Sequence, residues 1–265
     1  MSAIPIFMIS DSIGETARSV VSAVAAQFPQ SVPLKIQRFP FVTDQSTLVP
    51  ILKDAQQEQA IIVTTLVNRP LQQSVTEFCQ AHNLTLIDLL SSLTTAISDR
   101  SQTDSLEAPG SLRKLDEHYF HRISAMEFAV RYDDGKEPRG LLEADIVLLG
   151  VSRTSKTPLS MYLANQNYRV ANLPLIPGVP LPKELFKVPT HKIIGLTMPL
   201  QTLLKIRTER LATLGLPQTT NYSAATSVSD ELAYAQQLFD TLGATVINVA
   251  DRSIEETASL IQTMI

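Results

Sequence analysis

The sequence predicts an α/β protein of two lobes, each a parallel sheet of βα units, and three observations carry that expectation. Short apolar, β-branched runs alternate with helical patterns along nearly the whole chain, as βαβ units require. The alternation stops at 101–114, where SQTDSLEAPGSLRK is polar and carries the turn signal Pro109-Gly110. The 265 residues are 44% hydrophobic and 18% charged, enough apolar material for two cores of ordinary size.

In the first half, strands are expected at 4–10, 35–42, 60–66 and 85–89, and helices at 15–27, 45–57, 70–82 and 90–98. After the polar loop, 115–132 reads as a long helix. Its Tyr119, Ile123, Met126, Phe128 and Val130 partly fit a 3.6-residue period, and Asp133-Asp134-Gly135 signals its end. A second α/β series follows, with strands at 145–150, 169–176, 192–197 and 244–250 and helices at 156–165, 200–214, 230–242 and 254–264. The expected organisation is an N-terminal α/β domain over 1–100, a linker and connecting helix over 101–140, and a P-loop-type kinase domain over 141–265. No internal repeat at a fixed period is visible.

Composition excludes several function classes. A net charge of −4, no Trp and six Tyr argue against a nucleic-acid partner. The one cysteine, Cys79, rules out an intrachain disulfide or a Cys-rich zinc site, and its helical setting points to core packing. No apolar run approaches the roughly 18 residues of a membrane span. The start, MSAIPIFMIS, lacks the basic region of a signal peptide. A cytoplasmic protein with no membrane partner is expected.

The sharpest local signal is DIVLLGVSRTSKTPLSMYLA, residues 145–164. A buried strand runs into Gly150, then Val151, Ser152, Arg153, Thr154 and Ser155, then Lys156 and Thr157 at the start of a helix. Walker A loops read G-x-x-x-x-G-K-[ST] in that context. The match holds at Gly150, Lys156 and Thr157 and departs at Ser155, which must reach a glycine-like backbone geometry with a Cβ. Backbone N–H groups and the helix N-terminus would surround a phosphate. Lys156 and Arg153 would add charge, and Thr157 could hold Mg2+. Losing one charged hydrogen bond of this kind costs about 1.5–3 kcal/mol. The competing reading is a polar turn with a Ser/Thr cap.

Other candidates are weaker. Asp11 ends the first strand, where open α/β sheets bind ligands, and is a candidate general base. Ser12 and Glu15 have capping-box spacing; the loop is either a second anion contact or an ordinary helix cap. Asp133 and Asp134 could hold Mg2+ with a phosphate, accept a hydroxyl proton, or simply end a helix in solvent. Arg207 and Arg210 stand three apart on one helix and could clamp phosphates or solvate it. Asp251, after the last strand, is a weak metal candidate, and Ser253 with Glu256 has capping-box spacing. The histidines at 82, 118, 121 and 191 make no metal set; His118 and His121 suit a surface or interface.

Four stretches occur in order: SDSIGETA (10–17), DEHYFHRISAMEFAVRYDDGKEPRG (116–140), GVSRTSKTPLSMYLA (150–164) and SIEETA (253–258). Together they resemble the bacterial pyruvate, phosphate dikinase regulatory protein family over essentially the whole chain. The family's sister branch, which acts on phosphoenolpyruvate synthase, typically has glycine where this chain has Ser155, so the dikinase branch is favoured. The resemblance implies a bifunctional serine/threonine kinase and pyrophosphorylase. ADP would phosphorylate a dikinase threonine and inactivate it. Inorganic phosphate would remove that group as pyrophosphate and reactivate it. The resemblance also implies a homodimer. Phosphoryl transfer then assigns Lys156, Arg153 and the loop amides to the ADP phosphates, Thr157 or an acidic residue to Mg2+, and Asp11 or Asp133 to the threonine proton. The start of the helix at 12–16 could hold the second anion, or both directions could share one phosphate site. The rival readings are the same chemistry on phosphoenolpyruvate synthase, a small-molecule P-loop kinase, and a non-catalytic nucleotide-sensing module.

Overall fold

Each half of the chain builds one four-stranded parallel sheet, and the two sheets share one strand order. The computed structural model describes residues 2–113, 117–217 and 221–265. The chain divides into two units, Met1–Lys114 and Leu115–Ile265. The first two positions expected in the long helix, Leu115 and Asp116, lie outside the described residues.

The first unit runs β1 (Ile4–Ser10), α1 (Glu15–Ala25), β2 (Leu34–Phe39), α2 (Gln45–Glu58), β3 (Ile61–Thr65), α3 (Arg69–Ala81), β4 (Leu86–Asp88) and α4 (Ser91–Ser101). The sheet order is β2-β1-β3-β4, with Ile4 opposite Leu34 and Ile6 opposite Ile61. Alternation along β1 sends Phe7 and Ile9 to one face, against Leu48, Leu52, Leu71 and Val75. Met8 faces the other way, against Ala17 and Val21 of α1. Asp44 caps α2 by accepting from Thr47 N–H at 2.9 Å, and Asn68 caps α3 from Leu71 N–H at 3.0 Å. The expected Ser12–Glu15 box does not form. The N-cap of α1 is Gly14, left-handed at φ 75° and without a side-chain cap, while Glu15 Oε1 accepts from Arg18 Nε at 3.0 Å. A residue that enters the helix from the left-handed region shifts the start past the serine.

The second unit runs α5 (Glu117–Arg131), a 3-10 turn (Asp133–Gly135), α6 (Gly140–Glu143), β5 (Ile146–Gly150), α7 (Lys156–Ala164), β6 (Val170–Pro174), β7 (Ile193–Thr197), α8 (Leu200–Thr213), α9 (Ala225–Leu242), β8 (Thr245–Asn248) and α10 (Ile254–Gln262). Its order is β6-β5-β7-β8. All five residues of β5 are buried because both faces are covered. Val147 and Leu149 meet Leu203, Leu238 and Phe239, whereas Ile146 and Leu148 meet Leu159, Leu163, Ala258 and Ile261. The expected box at α10 forms in both directions: Ser253 Oγ accepts from Glu256 N–H at 3.1 Å, and Glu256 Oε2 accepts from Ser253 N–H at 2.9 Å. Helix α9 begins five residues before the expected Asp230, on a Ser/Thr-rich turn with no capping side chain. No helix among the described residues is long and apolar enough to cross a membrane.

Gly195 lies in β7 where a Cβ would stand 2.7–2.8 Å from the ring of the buried Phe239. Gly195→Ala is expected to destabilise the fold by about 1–3 kcal/mol through overpacking, read as a lower urea midpoint with an unchanged slope.

Candidate functional site

The 150–157 loop leaves the carboxyl end of β5, one of the two strands at the switch point of its sheet. Gly150 is required there by close approach. A Cβ at Gly150 would meet Thr154 Oγ1 at 2.6 Å and the Leu196 carbonyl oxygen at 2.7 Å. The loop closes with two left-handed residues, Arg153 at φ 75° and Ser155 at φ 62°. Ser155 thus occupies the backbone region expected of the missing glycine, at a cost of about 1–2 kcal/mol. The carbonyl of Val151 accepts from Thr154 Oγ1 at 2.9 Å and from Lys156 Nζ at 3.0 Å, so the loop is tied across itself. The first turn of α7 opens on Lys156 and Thr157. Its first helical bond, Leu159 N–H to Ser155 O, leaves the earlier N–H groups at the loop.

Lys156 is only 6% exposed, and burial pushes its ammonium down from 10.5 to about 8. The carboxylates of Asp134 and Asp133 oppose that shift, and the guanidiniums of Arg207 and Arg153 add to it. An anion in the loop would offset the desolvation of Lys156.

Asp133 and Thr157, far apart in sequence, meet here. Thr157 Oγ1 donates to Asp133 Oδ1 at 2.9 Å, and Asn172 Nδ2 donates to the same oxygen at 2.7 Å. Asn172 Nδ2 also reaches Ser160 Oγ at 3.1 Å, while its Oδ1 accepts from Asp134 N–H at 3.1 Å. Asn172 therefore fixes the 3-10 turn after α5 against β6 and α7. Asp134 and Gly135 turn the chain there with φ 53° and 70°. Sequence reasoning missed Asn172. The available signal was a lone amide in the apolar run VANLPLI, where a fully buried polar group must find partners.

Arg207 neither shares one face with Arg210 nor solvates the helix, the two arrangements expected of it. It is fully buried and bidentate to Glu231, at 3.0 and 2.6 Å, and donates to the carbonyls of Tyr222 at 3.0 Å and Ser152 at 3.2 Å. Arg210 is exposed. Three residues of helix advance the side chain by less than a full turn, enough to put one arginine inside and the other out. Arg153 Nε donates to Tyr222 Oη at 2.9 Å. Asp251 is exposed in the turn beyond the edge strand β8 and makes no hydrogen bond to the loop among the described residues. His118 and His121 are exposed on α5. Cys79 is buried in α3, and burial raises its thiol to about 11.

In the first unit, Asp11 follows β1 directly and is 4% exposed. Its Oδ2 accepts from the N–H groups of Val67 at 2.7 Å and Asn68 at 3.2 Å, tying the β1 and β3 loops together.

Comparison with known proteins defines the class first. Residues 6–262 match the kinase/pyrophosphorylase family model, and the chain belongs to that family. Among its relatives, a protein of Latilactobacillus sakei subsp. sakei (strain 23K) named "Putative pyruvate, phosphate dikinase regulatory protein 2" is 84% identical over 265 residues, all of both chains. A protein of the same name from Listeria welshimeri is 49% identical over 260 residues, covering 98% of this chain and 96% of that one. A "Putative pyruvate, phosphate dikinase regulatory protein" of Clostridioides difficile is 48% identical over 256 residues, covering 97% and 91%.

Because Lys156 sheds its proton more readily folded than unfolded, unfolding takes up a proton between about pH 8 and 10.5. Stability contributed by this group therefore rises with pH across that window, and burial of the charge opposes folding below it. Lys156→Met is expected to stabilise the protein at pH 7 by about 1–3 kcal/mol and to lose the alkaline gain, read from urea denaturation at pH 7 and 9.5. An equal difference between variant and wild type at both pH values would contradict the assignment.

Proposed function

We propose that the chain regulates pyruvate, phosphate dikinase, phosphorylating one of its threonines with ADP and removing that phosphoryl group with inorganic phosphate. The forward step forms a threonine O–P bond to the β-phosphorus of ADP, breaks the bond to the bridging oxygen and releases AMP and a proton. The reverse step transfers the phosphoryl group from threonine to phosphate, giving pyrophosphate. The observation that carries this reading is the meeting of Asp133 and Thr157 beside the Lys156 loop. It puts a carboxylate, a hydroxyl and a buried ammonium at one strand end, as phosphoryl transfer needs. Membership in the kinase/pyrophosphorylase family and the names of the relatives support it.

In this reading Lys156, Arg153 and the loop amides of Gly150, Val151, Ser152, Thr154 and Ser155 neutralise the phosphates. Asp133 Oδ1 already takes two hydrogen bonds, and its Oδ2 takes none from the described residues, so we assign Oδ2 to the threonine proton. Asp11 is the second choice, because one of its oxygens is committed to two backbone N–H groups. The exposed Thr157 hydroxyl beside a carboxylate is an oxygen donor set that fits Mg2+, which would neutralise phosphate charge there. The setting of the reaction is cytoplasmic.

The test is incubation with the phosphohistidine form of the dikinase and ADP labelled at its β-phosphate, with labelled ATP as control. Label is expected on a dikinase threonine from ADP and is expected to leave as pyrophosphate when phosphate is added. Asp133→Asn should lower kcat by about 10²–10⁴ with nearly unchanged ADP binding. Lys156→Ala that still inhibits the dikinase fully would instead make the protein a binding module. Label appearing on phosphoenolpyruvate synthase alone would move it to the sister branch.

A further inference from the structure

The first unit has a cavity of about 260 Å³ lined by Ser10, Asp11, Ser12, Gly14, Thr16 and Thr65, among others. It lies at the carboxyl ends of β1 and β3, the switch point of the order β2-β1-β3-β4. Met8 and Val63 pack beneath α1, and strand alternation turns Ser10 and Thr65, paired across β1 and β3, to that same face two residues later. They therefore sit under the first turn of α1. The N–H groups of Thr16 and Ala17 precede the first helical bond, Arg18 N–H to Gly14 O, and no side chain caps this end.

Two buried side chains distinguish this place from a bare helix end. Thr65 is 5% exposed and its Oγ1 has no hydrogen-bond partner among the described residues. A buried hydroxyl of that kind is costly unless something supplies the missing bond. Asp11 has committed Oδ2 to the backbone of Val67 and Asn68, and its Oδ1 takes no hydrogen bond from the described residues. Glu15 also lines the cavity, and its carboxylate pairs with Arg18.

We propose that this cavity binds inorganic phosphate as the HPO₄²⁻ ion. The helix N–H groups and the Thr65 hydroxyl donate to its bare oxygens, and Asp11 Oδ1 accepts from its P–O–H. Phosphate keeps a proton near neutral pH and sulfate does not, so sulfate would set a lone pair against the Asp11 carboxylate. Asp11 thereby selects phosphate over sulfate. A role in holding the attacking phosphate rests on the proposed reverse reaction, but the binding itself does not.

Calorimetric titration of the full chain with phosphate, sulfate and O-phosphothreonine at pH 7 tests this. Phosphate should bind, with sulfate about ten- to a hundredfold weaker for want of one charged hydrogen bond. Thr65→Val should weaken phosphate about three- to tenfold while leaving Tm unchanged or higher, because it removes a hydroxyl that has no partner among the described residues. Asp11→Asn should bring phosphate and sulfate close together. O-phosphothreonine, whose phosphoryl group has a second pKa of about 6 and carries little proton at pH 7, should bind weakly like sulfate, and tighter binding of it than of phosphate would overturn the proposal. Phosphate binding that survives both substitutions but is lost in Lys156→Ala would overturn the proposal, as would no phosphate binding. Failure of label transfer to the dikinase with this binding intact would overturn the proposed reaction and leave the site standing.

Discussion

A buried guanidinium sets the geometry of the candidate site in the second unit. Arg207 on α8 joins Glu231 on α9, the Tyr222 carbonyl ahead of α9 and the Ser152 carbonyl in the loop, and its carbon lies 4.7 Å over the Tyr222 ring. Removing one partner from such a buried pair leaves an uncompensated charge and costs about 3–5 kcal/mol. The loop is therefore not free to relax on its own. The left-handed Arg153 and Ser155 persist because the contacts around them over-determine the backbone. The Tyr222 hydroxyl extends the same network to Arg153.

That rigidity explains a charge arrangement that would otherwise be unfavourable. Lys156, Arg207 and Arg153 bring three cations close enough for the arginines to lower the lysine's pKa, and Lys156 is buried as well. Asp133 and Asp134 offset part of this field from the other side. Asn172 holds both, one through its carboxylate and the other through its backbone N–H. A fold that keeps a desolvated lysine near pH 7 stores electrostatic strain at the loop. An anion bound at the loop would relieve that strain directly.

The sheets were legible in the sequence, and the contacts that build the site were not. Strands buried on both faces read as continuous apolar runs, so β1, β3, β5 and β7 were placed to within a residue or so of each end. Capping spacing was a less reliable guide. Ser253 and Glu256 form the box, while Ser12 and Glu15, at the same spacing, are displaced by the left-handed Gly14. Helix α6 has four residues, too few to show a period. The loop was recognisable because strand, glycine, lysine and helix are contiguous. Asn172 and Arg207 were not, because their partners lie 12 to 39 residues away for Asn172 and as many as 55 for Arg207. Only the fold tells a buried arginine from an exposed one three positions later.

The shared strand order shows what each loop adds to a common scaffold. Sequence showed no repeat, yet β2-β1-β3-β4 and β6-β5-β7-β8 are the same topology. Strand order follows from which faces are apolar and how the connections cross, and many sequences satisfy that. Each sheet puts a loop at its switch point, after β1 and after β5, and each loop enters a helix through a left-handed residue, Gly14 or Ser155. Beyond that the loops diverge. The loop after β5 carries Arg153 and Lys156, suited to a highly charged anion. The loop after β1 carries Asp11 and no lysine or arginine, so an anion held there must bring a proton to meet the carboxylate. One backbone solution thus supports two different charge environments, and the difference lies in a few side chains at the ends of matching strands.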